Sequence, residues 1–150
     1  MTDTARVLLT AGVLSLSAAL VFAARLRRID PAEPSRVIGE LRLAQWAAIL
    51  LASLGGVPVG MAVAGSAIPL AHLDATLGFA IVVFAGFVLY REPPQALRLA
   101  SAGFMAHAVI QLGHRPGWLA ADLSPLWFTA GSATYDLCMA AICFWAPRHR

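Results

Sequence analysis

The chain has 150 residues, which fits one domain, and it is strongly apolar. With Gly counted and Tyr left out, about two-thirds of its residues are apolar, against about 45–50% in soluble domains. Only 13% are charged, and the mean hydropathy is +0.74. A soluble domain of this size has too little interior for so many apolar side chains, so we expect lipid around the surface. The composition argues against a soluble enzyme, a disordered tail, a disulfide-stapled secreted domain and a nucleic-acid-binding protein.

The basic residues are all arginine: eleven Arg and no Lys stand against eight acidic residues, for a net charge of +3. Without lysine the chain has neither a Walker A phosphate loop nor a lysine Schiff base. The HExxH and GxSxG motifs are also absent, and four His are too few for a histidine-rich di-iron site. The sequence names no reaction, and the balance of motifs favours a protein that is not an enzyme.

Five apolar segments are each long enough to cross about 30 Å of hydrocarbon. The first is followed by arginines at 25, 27 and 28, which is typical of a retained helix and not of a signal peptide. The second is rich in Gly and contains Pro58, which predicts a kinked helix. Pro93 and Pro94 separate the third and fourth so closely that these should form an antiparallel hairpin. We predict an all-α integral membrane protein, a single bundle of about five transmembrane helices spanning 7–24, 43–64, 71–90, 96–113 and 126–145.

The arginines predict the orientation of this bundle. Nine of the eleven fall in the first loop, the third loop and the C-terminal tail, whereas Arg6 and Arg115 fall on the other side. Because arginine accumulates on the cytoplasmic side, the N-terminus should lie outside and the C-terminus in the cytoplasm of a plasma (inner) membrane. The sequence pI near 9.5 thus reflects multi-pass topology and not nucleic-acid binding.

The first loop connects the first predicted span to the second helix. Asp30 to Pro34 should be irregular, and Ser35 is predicted as the N-cap of a helix that begins at 36–42 within the interfacial layer. The alternative is that 36–42 is an amphipathic segment binding anionic lipid headgroups.

Two ionisable residues fall near the middle of predicted spans, His107 in the fourth and Asp136 in the fifth. An Asp at the bilayer centre costs roughly 2.5–3.5 kcal/mol and cannot face lipid alone. Helical spacing adds further polar residues to both faces, and the two helices are adjacent and antiparallel. We therefore predict a polar seam between helices four and five, open to the outside, with five candidate ligand-binding residues: His107, Gln111, His114, Ser132 and Asp136.

Several roles are consistent with this seam. One role is structural, in which its hydrogen bonds hold the helices together, as in many membrane bundles. A mid-membrane His and Asp are also suited to carrying a proton. A metal ion is a third alternative, with His72, Asp74 and His114 as candidate ligands and Asp122 as a fourth, and haem at the His72 and His114 pair is the related one.

The remaining signals concern packing and partners. Gly56 and Gly60 form a GxxxG pair, which permits close helix contact within the bundle, in a homo-oligomer or in a larger membrane complex. Cys138 and Cys143 share one predicted helix, about 7.5 Å apart along its axis, and should be unpaired packing residues. The favoured function is binding or transport of a small ligand or ion; the alternatives are an accessory subunit of a membrane complex and a haem- or metal-binding redox subunit.

Overall fold

The computed structural model describes residues 3–64, 71–114, 119 and 125–147, and these residues are helical without a strand. The all-helical architecture and the five helices confirm the prediction from the sequence. The helices are α1 (Asp3–Leu26), α2 (Pro34–Ala64), α3 (Ala71–Val88), α4 (Pro93–Gly113) and α5 (Leu126–Trp145).

Three of these helices, α1, α2 and α3, are long and apolar enough to cross a membrane. This favours a membrane location. Among the described residues α4 and α5 fall outside that set, although they have 21 and 20 residues. The physical reason is that these two helices carry most of the buried polar side chains, which lower their hydropathy.

The second helix is longer than predicted. It begins at Pro34 and runs as one helix of 31 residues through Pro58. Proline suits the first position of a helix because its fixed φ matches and no N–H is lost there. Ser35 therefore lies within the first turn and is not the predicted N-cap; its hydroxyl donates to Glu33 Oε1 over 2.5 Å.

The helices alternate in direction along the bundle. On α4 and α5, Ser101 donates to the Ala140 carbonyl over 2.8 Å, and His107 lies 2.7 Å from Asp136, so the two helices are antiparallel. The hairpin predicted at Pro93 and Pro94 joins α3 to α4. α1 contacts α5 chiefly, α5 contacts α4, and α4 contacts α2 and α3. We call the end where α1 finishes and α2 begins the basic end, and the end where α3 begins and α4 finishes the opposite end.

The crossing between α2 and α3 depends on two glycines. A Cβ added at Gly78 would lie 2.5 Å from the Gly55 carbonyl oxygen, and one added at Gly55 would lie 2.8 Å from the Gly78 carbonyl oxygen. Gly56 and Gly60, by contrast, are exposed, and an added Cβ would meet no described atom within 4 Å. The intramolecular contact thus uses Gly55, and the GxxxG pair faces away from the described part of the chain.

A buried arginine joins three helices at the basic end. Arg36 is 3% exposed, and its guanidinium pairs with Glu40 Oε1 at 3.0 Å and donates to the carbonyls of Leu26 and Ala146. Leu26 is the last residue of α1, and Ala146 follows the last residue of α5. A cation at helix C-termini interacts favourably with the helix dipole and satisfies carbonyls that have no helical partner.

Arg27 makes a similar contact on the surface. Its guanidinium donates to the Trp145 carbonyl over 2.9 Å and stacks 4.3 Å from the Trp145 ring centroid. Two of the arginines that the sequence assigned to topology are therefore also structural contacts with α5.

Candidate functional site

The polar seam lies between α4 and α5, where the sequence predicted it. His107 Nδ1 lies 2.7 Å from Asp136 Oδ2, and the two side chains are 1% and 0% exposed. One turn toward the opposite end, Gln111 follows His107 on α4 and Ser132 precedes Asp136 on α5. His114 lies one further turn along α4. All five side chains are buried, whereas an open cavity was expected.

His107 contacts both Asp136 and Gln111 through its ring nitrogens. Its Nδ1 lies 2.7 Å from Asp136 Oδ2, and its Nε2 lies 3.3 Å from Gln111 Nε2. The imidazole is therefore held between a carboxyl group and a carboxamide.

A second His–Asp pair extends the seam to α3. His114 Nδ1 donates to the Ile110 carbonyl over 3.1 Å, and His114 Nε2 lies 3.3 Å from Asp74 Oδ1. Asp74 is 1% exposed. This distance is within the range of an ion pair, but neither Asp74 oxygen accepts an aligned hydrogen bond from the described residues.

The unpaired polar atoms of the seam point to a missing partner. Among the described residues, five buried side-chain atoms have no hydrogen-bond partner, and all five belong to the seam or to Asp74. Each is an oxygen able to accept: both oxygens of Asp74, Gln111 Oε1, Ser132 Oγ and Asp136 Oδ1. Leaving a buried polar atom unpaired costs about 1–3 kcal/mol, so such a concentration of acceptors favours a bound proton, cation or hydrogen-bond donor.

The seam is closed toward the basic end. The side chains that follow it there are apolar and fully buried: Leu97, Phe104 and Met139 are each at most 1% exposed. The one hydroxyl among them, that of Ser101, is occupied by the Ala140 carbonyl. Among the described residues, the buried polar side chains next to Asp136 continue toward the opposite end and not toward the basic end.

The predicted metal residues are only partly brought together. Asp74 and His114 are neighbours, but His72 is exposed on α3 and Asp122 lies outside the described residues. Within residues 3–64, 71–114, 119 and 125–147 no three His, Cys, Asp or Glu side chains cluster closely enough to hold a metal ion. The metal and haem sites stay predictions.

One feature of the site was not predicted from the sequence: Asp74, named there only as a candidate metal ligand, is buried against His114. Its spacing four residues before Gly78, at which α3 crosses α2 so closely, is the signal that this face of α3 points inward. Cys138 and Cys143 are both free, as expected, but only Cys143 is buried as a packing residue, whereas Cys138 is exposed.

Comparison with protein-family models, with curated proteins and with solved structures finds no match to this chain. The function of the site therefore has to be inferred from the chemistry of its own residues.

Proposed function

We propose that this protein is a multi-pass protein of the plasma (inner) membrane that binds a small cation, a proton included, at the polar seam and Asp74. In this proposal the chain crosses the membrane five times, and both the N-terminus and the opposite end of the bundle face the outside. It is supported by seven described arginines at or near the basic end: Arg25, Arg27, Arg28, Arg36, Arg42, Arg91 and Arg98.

The observation that carries the proposal is the set of five unpaired oxygens. Oxygen acceptors are what a hard monovalent cation, a protonated amine or a proton requires. Two carboxyl groups, Asp74 and Asp136, lie at the site beside the imidazoles of His114 and His107. An anion would meet acceptors at each of these positions and is disfavoured.

The test is thermal unfolding of the detergent-purified protein. Sodium, potassium and ammonium chloride are compared with choline chloride at constant ionic strength, and the pH is varied separately in choline chloride. A ligand that binds only the folded state raises the unfolding temperature. We expect one cation, or acid, to stabilise the wild type and to lose its effect in Asp136→Asn.

Glu92→Gln is the matched control, because Glu92 is an exposed carboxylate at the start of α4 whose side chain caps no backbone group. It should respond as the wild type does. If neither the cations nor pH distinguishes wild type from Asp136→Asn, the binding proposal is overturned.

A second candidate function, an accessory subunit of a membrane complex or a homo-oligomer, is favoured by Gly56 and Gly60. Both lie exposed on α2, and the described part of the chain leaves them without a packing neighbour. Small residues allow a second helix to approach closely. Cross-linking in native membranes tests this candidate: a Gly56→Leu variant should lose a cross-linked species that the wild type shows.

A further inference from the structure

We infer that the surface between α1 and α2 at the basic end binds one anionic phospholipid. Arg25 and Arg42 hold its phosphate, and the rings of Phe22 and Trp46 lie beside its acyl chains. We call these four residues the lipid groove. The inference rests on the membrane location proposed above, and it does not depend on cation binding at the polar seam.

A contact between the last residue of α1 and Gly39 of α2 sets the level of the lipid groove. A Cβ added at Gly39 would lie 2.5 Å from Leu26 Cδ1, so the two helices touch here. Arg25 precedes Leu26 by one residue and Arg42 follows Gly39 by three, and both steps lead into the bundle from the basic end. With a rise of about 1.5 Å per residue, the levels of the two arginines differ by about 3 Å. Side chains as long as arginine can hold one phosphate across that difference.

Both arginines lie on the side of the α1–α2 pair that α5 leaves open. α5 lies on the other side, where Arg27 and Arg36 donate to carbonyls at its end. Arg25 is two residues from Arg27, about 160° around α1, and Arg42 is six residues from Arg36, about 120° around α2. Arg42 is also about 140° from Gly55, which faces α3. Both arginines are exposed, so they flank one outward-facing groove.

Arg25 and Arg42 are without an acidic partner among the described residues. Neither takes part there in a hydrogen bond, an ion pair or a ring contact. The acidic side chains of the loop and of the start of α2 are already occupied: Asp30 accepts from a backbone N–H, Glu33 from a hydroxyl and Glu40 from a buried guanidinium. Guanidinium groups pair with phosphate through two parallel hydrogen bonds, so two free arginines complement an anionic headgroup.

Two exposed aromatic rings line the same groove further into the bundle. Phe22, four residues before Leu26, is 38% exposed, and Trp46, seven residues after Gly39, is 64% exposed. Four and seven residues are close to one and two full turns, so both rings lie along the edge where α1 meets α2. Each is about one turn inside the arginine of its own helix. This order is typical of a membrane interface, where the cation reaches the headgroup and the ring lies at the start of the acyl chains.

An anionic phospholipid matches both parts of the lipid groove. Its phosphate meets the arginines, and its acyl chains cover the two rings, which a soluble phosphate would leave bare. A zwitterionic phospholipid also carries a phosphate, but its own ammonium group offsets that charge. The lipid groove should therefore prefer the anionic headgroups that attract basic segments to a membrane surface.

The experiment is quenching of tryptophan fluorescence in nanodiscs of phosphatidylcholine that contain a minor fraction of brominated lipid. Bromine on an acyl chain quenches a tryptophan that it touches. Brominated phosphatidylglycerol should quench the wild type more strongly than the same fraction of brominated phosphatidylcholine, and Trp46→Phe should remove this excess. Equal quenching by the two lipids, or an unchanged excess in Trp46→Phe, overturns the inference.

The arginines are tested by Arg25→Gln and Arg42→Gln. Each should lower the preference for phosphatidylglycerol about fivefold, which is the contribution of one arginine near an anionic surface. Arg98→Gln is the matched control, because Arg98 is an exposed arginine at the same end on α4, and among the described helices α4 does not contact α1. It should keep the excess quenching. An equal loss in Arg98→Gln would reveal attraction to the overall charge of this end and overturn the site.

Stability separates a lipid contact from a structural one. In detergent without lipid, Arg42→Gln should unfold at the temperature of the wild type. In nanodiscs with phosphatidylglycerol the wild type should be the more stable of the two, because a ligand of the folded state raises the unfolding temperature. A lower unfolding temperature of Arg42→Gln in detergent alone would assign Arg42 to the fold and overturn its role in lipid binding.

Two further outcomes distinguish the ligand and the location. Glycerol phosphate in solution should not reduce the excess quenching; if it does, the site binds soluble phosphate and the lipid is rejected. A protein that needs detergent for extraction but shows no excess quenching would reject the lipid groove alone. Recovery of the protein from cells in the soluble fraction would reject the membrane location and the lipid groove together.

Discussion

The imidazole of His107 donates to the carboxylate of Asp136 across the α4–α5 interface at 2.7 Å, with both side chains enclosed by the bundle. Each side chain is therefore the hydrogen-bond partner that offsets most of the free-energy cost of burying the other. Removing one partner leaves an uncompensated polar group, a change that costs about 3–5 kcal/mol for a buried ion pair.

We expect His107→Ala to lower the free energy of unfolding by about 3 kcal/mol or more, because the Asp136 carboxylate stays buried without a donor. Adding Asp136→Leu to this variant should recover part of the loss, since the double variant buries no unpaired charge. Denaturant unfolding followed by circular dichroism measures both. Additive losses in the double-mutant cycle would contradict a direct pair.

Two adjacent glycines, Gly55 and Gly56, provide a test of the contact between α2 and α3. Gly55→Val would place side-chain atoms against the Gly78 carbonyl and Ile81, which lie 2.8 Å from an added Cβ. The expected loss is about 1–3 kcal/mol, visible as a lower unfolding temperature. Gly56→Val meets no described atom and should unfold like the wild type. Equal destabilisation of both variants would show that the α2–α3 contact is placed incorrectly.

Arg36→Gln should be strongly destabilising, because it leaves the Glu40 carboxylate and the carbonyls of Leu26 and Ala146 without their shared donor. The expected loss is about 3 kcal/mol or more. Arg42→Gln is the control, since Arg42 is exposed one and a half turns further along α2. Protease resistance in detergent, measured against temperature, should fall for the first variant and not for the second.

Orientation in the membrane is tested by single cysteines in a background of Cys138→Ala and Cys143→Ala. Thr4→Cys lies in the first turn of α1, and Glu33→Cys lies in the loop at the basic end. A membrane-impermeant maleimide should label the first in intact cells and the second only after permeabilisation. Labelling in the reverse order would contradict the N-terminus outside.

The sequence predicted the His107–Asp136 contact because helical periodicity and the antiparallel connection place both residues on facing sides at similar depth. It did not predict the burial of Asp74 against His114, since the rotation of α3 depends on how α2 crosses it. The same limit explains the glycines: the motif pointed to Gly56, whereas the rotation of α2 turns the neighbouring Gly55 toward Gly78. A motif gives spacing along a helix but not its rotation in the bundle.

The first-loop arginines show a second limit. Arg36 counts as one more positive charge in a topology argument, yet it is buried with its guanidinium at the ends of α1 and α5. Within 34–42 Arg36 has an acceptor in Glu40, four residues later, but its carbonyl acceptors lie outside α2. The partners of a buried charge depend on tertiary contacts, and those could not be derived from spacing.

The Arg36 contact also bears on the order of assembly during synthesis. The Ala146 carbonyl, which accepts a hydrogen bond from the Arg36 guanidinium, lies 110 residues further along the chain. Until α5 has been made, Arg36 can bond only to Glu40 and to the carbonyls of Leu26 and Ile29. A chain that stops before α5 therefore lacks one of the carbonyl acceptors of this buried guanidinium.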